Sequence, residues 1–218
     1  LGDVTARSYR EVVSAVEEKV ASLRGGRLFI FLGGDHSITY ATLRALRSFY
    51  RGRLGLVYLD AHPDLYDEYE GDRYSHACTL RRIVEEGFVD PRDVILAGVR
   101  AATPSQLDFA EKAGITVLGV EEAEDLAAYL KEGMPYYISY DLDVLDPAYA
   151  PGVGNPEPGG LSTREMVRII KSLPEDVLAF DVVEASPPHD PSGLTLFTAA
   201  KIIRETLARA RPPGWGEV

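Results

Sequence analysis

Cysteine is almost missing from this chain. Cys78 is the sole one in 218 residues, so no internal disulfide can close and nothing demands an oxidising compartment; the cytoplasm is the expected location. Long apolar runs are missing too. The longest, such as Leu54 to Leu59, are strand-length, far short of the roughly 20 residues of a membrane-spanning helix, and no membrane partner is expected. Positive charge is scarce: 23 Lys and Arg face 34 Asp and Glu, a net charge of -11. That balance argues against a nucleic-acid surface, which needs clustered cations to displace counterions. It suits a small cationic ligand, although acidity also serves solubility alone. Amides and thioethers are rare, with one Asn, one Gln and two Met. Hyperthermophile proteins share this composition, so a melting temperature above the mesophile range is expected.

What is present is a regular alternation. Residues 8 to 24 place Val12, Val13, Val16, Val20 and Leu23 on one face of a helix. Short apolar runs follow at Arg27–Leu32, Leu54–Asp60, Val94–Gly98, Ile115–Leu118, Tyr136–Asp141 and Val177–Asp181. Helical spacing separates them, over Ser37–Tyr50, Cys78–Glu86, Pro104–Ala113, Glu121–Lys131, Thr163–Ser172 and Thr195–Ala210. Strand and helix in alternation predict an α/β fold, a parallel sheet in three layers with helices on both faces. No repeat or interdomain linker interrupts it, and one domain over residues 1 to 218 is expected. The irregular stretch Asp143 to Ser162, rich in proline and glycine, begins where a strand ends. Open parallel sheets bind ligands at that edge, so the stretch reads as a wall of the active site.

Three segments put metal-type donors at the same edge: Gly33-Gly34-Asp35-His36-Ser37, Asp60-Ala61-His62-Pro63-Asp64 and Asp141-Leu142-Asp143. In extended chain, residues two apart share a face, so Asp60, His62 and Asp64 converge, as do Asp141 and Asp143. Taken singly, an Asp-x-Asp or a Gly-Gly-Asp-His-Ser reads equally as a turn or helix cap. Together they make a cluster of four carboxylates and two imidazoles that repels itself unless divalent cations bind. Two ions fit the count if two carboxylates bridge. The mixed ligand set suits manganese, while zinc, cobalt and nickel also accept such donors.

The segments GGDHS, DAHPD, SYDLDVLDPAYAPG and DVVEASPPHD resemble the signature blocks of the ureohydrolase family, which includes arginase, agmatinase and guanidinobutyrase. The likeness runs from about Gly33 to the C-terminal helix. NPEPGGLSTRE is similar to agmatinases in particular, and SHACTLRR at residues 75 to 82 to an archaeal agmatinase branch. The resemblance implies an arginase-like fold and a two-manganese site, with His36, Asp60, Asp64 and Asp141 on one ion and Asp60, His62, Asp141 and Asp143 on the other. It also implies a homo-oligomer, a trimer or hexamer, and an N-terminal strand segment ahead of Leu1 that this sequence lacks.

The implied reaction is hydrolysis of a guanidinium to urea and an amine. Asp64 is placed to take the proton of the attacking water. Glu184 follows the last strand, and its planar carboxylate matches a planar guanidinium through two parallel hydrogen bonds. His76 is the candidate proton shuttle to the leaving amine, from a loop where the family carries a functional histidine; Ala77 and Cys78 depart there from the commoner Gly-Thr pattern. His189 is expected on the rim, and Cys78, two residues from His76, has no role in this chemistry. The loop Tyr66 to Asp72 carries four acids and no base, which favours agmatine, with its second cation, over arginine; arginase or guanidinobutyrase activity is the alternative. Two rivals stand beside this reading, a catalytically silent metal-binding homologue and an amide deacetylase of related architecture, and Glu184 argues against the second.

Overall fold

The computed structural model describes residues 2–23 and 28–211. Six strands form one sheet: β1 (Phe29–Leu32), β2 (Gly55–Leu59), β3 (Val94–Val99), β4 (Thr116–Gly119), β5 (Tyr136–Asp141) and β6 (Val177–Val183). Their spatial order is β1-β6-β5-β2-β3-β4, and every pairing is parallel. The strands agree with the apolar runs of the sequence within one or two residues, except that Arg27 lies outside the described residues.

Side chains of one strand alternate between the two faces, and the core divides accordingly. Val57, Leu59, Ile138, Tyr140 and Phe180 pack on one side with α5 (Thr163–Ser172) and α6 (Leu194–Arg209). Leu56, Tyr58, Leu96, Tyr137 and Leu178 pack on the other, against α1 (Tyr9–Ala21), α2 (Ile38–Arg47), α3 (Thr79–Glu85) and α4 (Pro104–Ala113). A sheet buried on both faces explains why its strands read as unbroken apolar runs. Each fully buried aliphatic side chain contributes about 1.5–3 kcal/mol, so the centre of the sheet is a firm platform.

Local chemistry sets the helix boundaries. Ser162 and Glu165 form a reciprocal capping box at the start of α5, as Thr103 and Gln106 do at α4, where Pro104 fills the first turn. Gly114 ends α4 in the left-handed conformation. The helix expected over Glu121–Lys131 is instead a 3-10 helix over Ala123–Tyr129. Its two buried residues, Ala123 and Leu126, are three apart, a spacing that a three-residue turn eclipses. Among the described residues no helix is long and apolar enough to cross a membrane.

Register fixes the height at which the loops leave the sheet. Leu32 pairs with Val182, Val182 with Tyr140, and Tyr140 with Leu59, so one rung crosses β1, β6, β5 and β2. The chain beyond that rung is His36 after β1, Glu184 after β6, Asp141 and Asp143 around the end of β5, and Asp60 to Asp64 after β2. Sequence position and strand register together bring these segments to one edge. It is the carboxyl edge, beside the point where the chain, having run outward from β2 to β4, returns on the other side of β2 as β5.

Candidate metal centre

His36 is the hub. Its Nδ1 lies 2.9 Å from Asp141 Oδ2, 3.0 Å from Asp60 Oδ2 and 3.4 Å from Asp64 Oδ2. His62 Nδ1 lies 2.9 Å from Asp143 Oδ2 and 3.5 Å from Asp60 Oδ1. Two donor groups result, His36 with Asp60 and Asp141, and Asp60 with His62 and Asp143, the ligand atoms of each within 4.8 Å of one another. Asp60 belongs to both. All six expected donors, with His76 and Glu184, line a single cavity of about 210 Å³.

The second ring nitrogen of His36 shows what the first is for. Nε2 is 2.7 Å from Ser139 Oγ, and that hydroxyl donates to Asp181 Oδ1, also at 2.7 Å. Asp181 is fully buried and takes further bonds from Thr39 Oγ1 and Tyr137 OH. Because the Ser139 hydrogen is committed to Asp181, Ser139 accepts from His36, which places the imidazole proton on Nε2. Nδ1 then presents a lone pair to three carboxylates. Nδ1 and Asp60 Oδ2 are indeed buried without a hydrogen-bond partner. A divalent cation between them removes both deficits, so the residues present fit a metal site.

The electrostatics agree. Burial opposes a charged His36, yet the carboxylates of Asp141 and Asp60 outweigh it and hold its pKa well above the usual imidazole range. Burial raises Asp64 and Asp141 far above ordinary carboxylates, and neighbouring aspartates, Asp60 foremost for Asp64 and Asp143 for Asp141, push further. Burial pushes Asp60 upward as well, but it faces both imidazoles and ends below its usual range. Protons stand in for cations when like charges are packed this closely.

The backbone carries strain at the same place. Among the described non-glycine residues only Asp64, Glu70 and Glu184 have positive φ, at 52°, 51° and 65°. Such a conformation is disfavoured by roughly 1–3 kcal/mol and persists only where surroundings enforce it. Asp64 is held by Tyr58 OH, 2.7 Å from Oδ2, and the Tyr58 ring stacks on His36 at 4.2 Å. Glu184 is held through Oε1, which accepts from the His36 backbone N–H at 2.7 Å. Its Oε2 has no hydrogen-bond partner among the described residues. Burial raises the Glu184 carboxyl pKa.

Several expectations about the surroundings change. Of the loop Tyr66 to Asp72 only Tyr66 and Tyr69 line the cavity; its acids do not. Asp67 is bound by Arg73 and Arg82, while Glu70 and Asp72 face a neighbouring cleft with Tyr9 and Tyr74. Two of its acids have partners outside the cavity, Asp67 in these arginines and Asp72 in the Tyr74 N–H. The carboxylate beyond the donor groups that lines the cavity alongside Glu184 is Glu157, 3.7 Å from His62 Nε2. Gln106, Asn155 and Ala101 also line it, and the sequence reading missed them. Asp181 and Ser139 had a signal, a charge and a hydroxyl inside otherwise apolar strands. His76 sits in the cavity wall with its ring 6.0 Å from Tyr69. His189 is exposed, bonded to Ser186 and outside the cavity. Cys78 is buried, which pushes its thiol up to about 11, so it holds no thiolate near neutral pH.

A parallel sheet with two acid-and-imidazole groups sharing one carboxylate at its switch point has the architecture of a binuclear metallohydrolase. Comparison with known proteins narrows the class. The Arginase family model matches residues 1–208. Guanidinobutyrase of Pseudomonas aeruginosa is 38% identical over 95% of this chain and 69% of its own length. The mitochondrial arginase 1 of Oryza sativa is 42% identical over 83% of this chain and 54% of its own. The crystal structure of agmatine ureohydrolase of Thermoplasma volcanium superposes with a TM-score of 0.85 at 32% identity, covering 96% of this chain and 72% of that one. The chain belongs to the arginase family. It spans about half to two thirds of the length of the curated relatives it matches.

Proposed function

We propose that this chain hydrolyses a guanidinium to urea and an amine at a two-manganese centre, and that its substrate is agmatine, giving putrescine. The observation that carries this reading is the pair of donor groups joined through Asp60. On this reading His36, Asp60, Asp64 and Asp141 would hold one ion and Asp60, His62, Asp141 and Asp143 the other. When bound, a pair of divalent ions supplies Lewis acidity and lowers the pKa of a water enough for attack near neutral pH.

The chain's own residues do the rest. Glu184, fixed by the His36 N–H at Oε1, receives the N–H groups of the guanidinium and holds its carbon facing the metals. Asp64, steadied by Tyr58, accepts the proton that the attacking water gives up. His76 delivers a proton to the departing amine nitrogen, so water and guanidinium leave as urea and an alkylammonium ion.

The choice of agmatine is supported by the cavity wall, which among the described residues contains Glu157 and two tyrosines but no Lys or Arg. A cationic tail is welcome there, whereas a carboxylate tail finds no charged donor. A guanidino acid is the second reading, favoured by the neutral amides of Gln106 and Asn155 in the lining and by the likeness to guanidinobutyrase. A urea-release screen of manganese-loaded protein separates them: agmatine should give the highest kcat/KM, ahead of guanidinobutyrate and arginine. No urea from any of the three would end the hydrolase reading.

A further inference from the structure

Arg100 stands just past β3, at the carboxyl edge of the sheet, half-buried. All of its guanidinium hydrogen bonds go to main-chain carbonyls. Nε donates to Glu157 O at 3.1 Å, Nη1 to Gly98 O and Val144 O at 3.2 Å each, and Nη2 to Asp143 O at 2.6 Å, Glu157 O at 2.6 Å and Leu145 O at 3.3 Å. No carboxylate lies within salt-bridge distance of it among the described residues. A cation this committed to neutral acceptors has a geometric task.

The acceptors belong to three segments that Arg100 joins through one side chain. Gly98 is the next-to-last residue of β3, 143–145 follow β5 and carry Asp143, and Glu157 lies on the irregular wall between Asp146 and Leu161. The backbone supports the same junction. Arg100 N and Ala101 N both donate to Ala61 O, between Asp60 and His62, at 3.0 Å. Gly98 has φ 96°, and a Cβ there would run into Val144. The wall's other anchors lie at its ends, where Asp146 N meets Leu161 O and Asp146 Oδ2 receives Gly159 N, and over residues 149–153. There Thr198 Oγ1 donates to Tyr149 O, Gly152 N donates to Thr195 Oγ1 and Gly152 O accepts from Ser186 N, which leaves the stretch around Glu157 to Arg100. Gly160 approaches so closely that a Cβ would lie 2.5 Å from Arg100 Nη2 and 2.6 Å from Asp146 N.

We infer that Arg100 is a positioning residue, a guanidinium clamp that holds the wall carrying Asn155 and Glu157 against the segment carrying Asp143 and so sets the shape of the substrate cavity. Only a planar fork with five donors can serve these acceptors at once; an ammonium with three donors on a flexible stem cannot. The role acts through the wall, whatever guanidino compound the cavity takes.

The test uses the full chain as Arg100→Lys and, from the opposite side of the junction, Gly160→Ala. Amide hydrogen exchange should quicken at least tenfold across residues 154–161 in both variants, with the strands unchanged. Calorimetric manganese titration should keep its stoichiometry, and with an active substrate KM should rise at least tenfold while kcat falls less. Exchange needs no turnover, so a failed clamp is distinguishable from a failed hydrolase assignment. Unchanged exchange in the wall would overturn the inference. So would unfolding of the whole chain in both variants, because a clamp confined to the wall leaves the sheet intact.

Discussion

The two ends of the sheet handle charge in opposite ways. At the amino end, Asp93 is buried just before β3, and Arg53 meets both of its oxygens at 2.6 and 2.8 Å while Lys131 adds a bond at 2.6 Å. Both oxygens that burial strips of water are answered from within the chain. At the carboxyl end, Asp60, Asp64, Asp141 and Asp143 crowd two imidazoles, and buried atoms are left without partners. Both ends stand on the same rigid strands, so the difference is not one of packing. The fold satisfies its structural charges and leaves unsatisfied those that await something from outside.

The comparison is broken most forcefully at Asp60, common to both donor groups. Asp60→Ala should lower urea release by more than about 100-fold, beyond the effect typical of outer-shell partners, and metal analysis should find fewer than two ions per chain. Next comes Glu184→Gln, which keeps an oxygen for the His36 N–H but loses the charge. Removing a charge-assisted hydrogen bond is worth about 2–3 kcal/mol, so kcat/KM should fall by about 30- to 150-fold with metal content unchanged. At the opposite end, Asp93→Asn should reduce stability to urea by about 1–3 kcal/mol at pH 7. Burial raises this carboxyl, but Arg53 and Lys131 outweigh it and leave its pKa below the usual range. Its contribution is therefore complete above the unfolded value of about 4 and disappears as pH falls below that. Denaturation curves of parent and variant should converge below about pH 4. The smallest effect has the opposite sign. Asp64→Asn, measured in chelator-treated protein, should raise stability by about 1 kcal/mol or less, because it removes a repelled carboxyl at a φ that Asn tolerates. A loss of stability there would mean that the two ends are not contrasted as described.

Much of this was legible in the residues because it rests on short periods. The six strands announced themselves as apolar runs, the four central ones buried on both faces, and the donors came two apart immediately after them. What stayed hidden depends on direction in space. Nothing in Tyr66 to Asp72 says that its rings turn inward while Asp67 finds Arg82 fifteen residues on. Nor does sequence show that Glu157, in a proline-rich stretch, comes within 3.7 Å of His62. The chain Asp181, Ser139, His36 is assembled across three strands by register alone. The 3-10 helix over Ala123–Tyr129 was misjudged because an eleven-residue window accommodates either helical period.

The left-handed backbone at Asp64 and Glu184 has a practical corollary. Glycine at either position would relax the main chain while deleting the very side chain that the distortion serves. Laboratory evolution for heat resistance, run without an activity requirement, should therefore be drawn to these two codons early and, on the proposed mechanism, should yield sturdier protein that releases no urea. Any such campaign must score urea production in the same round.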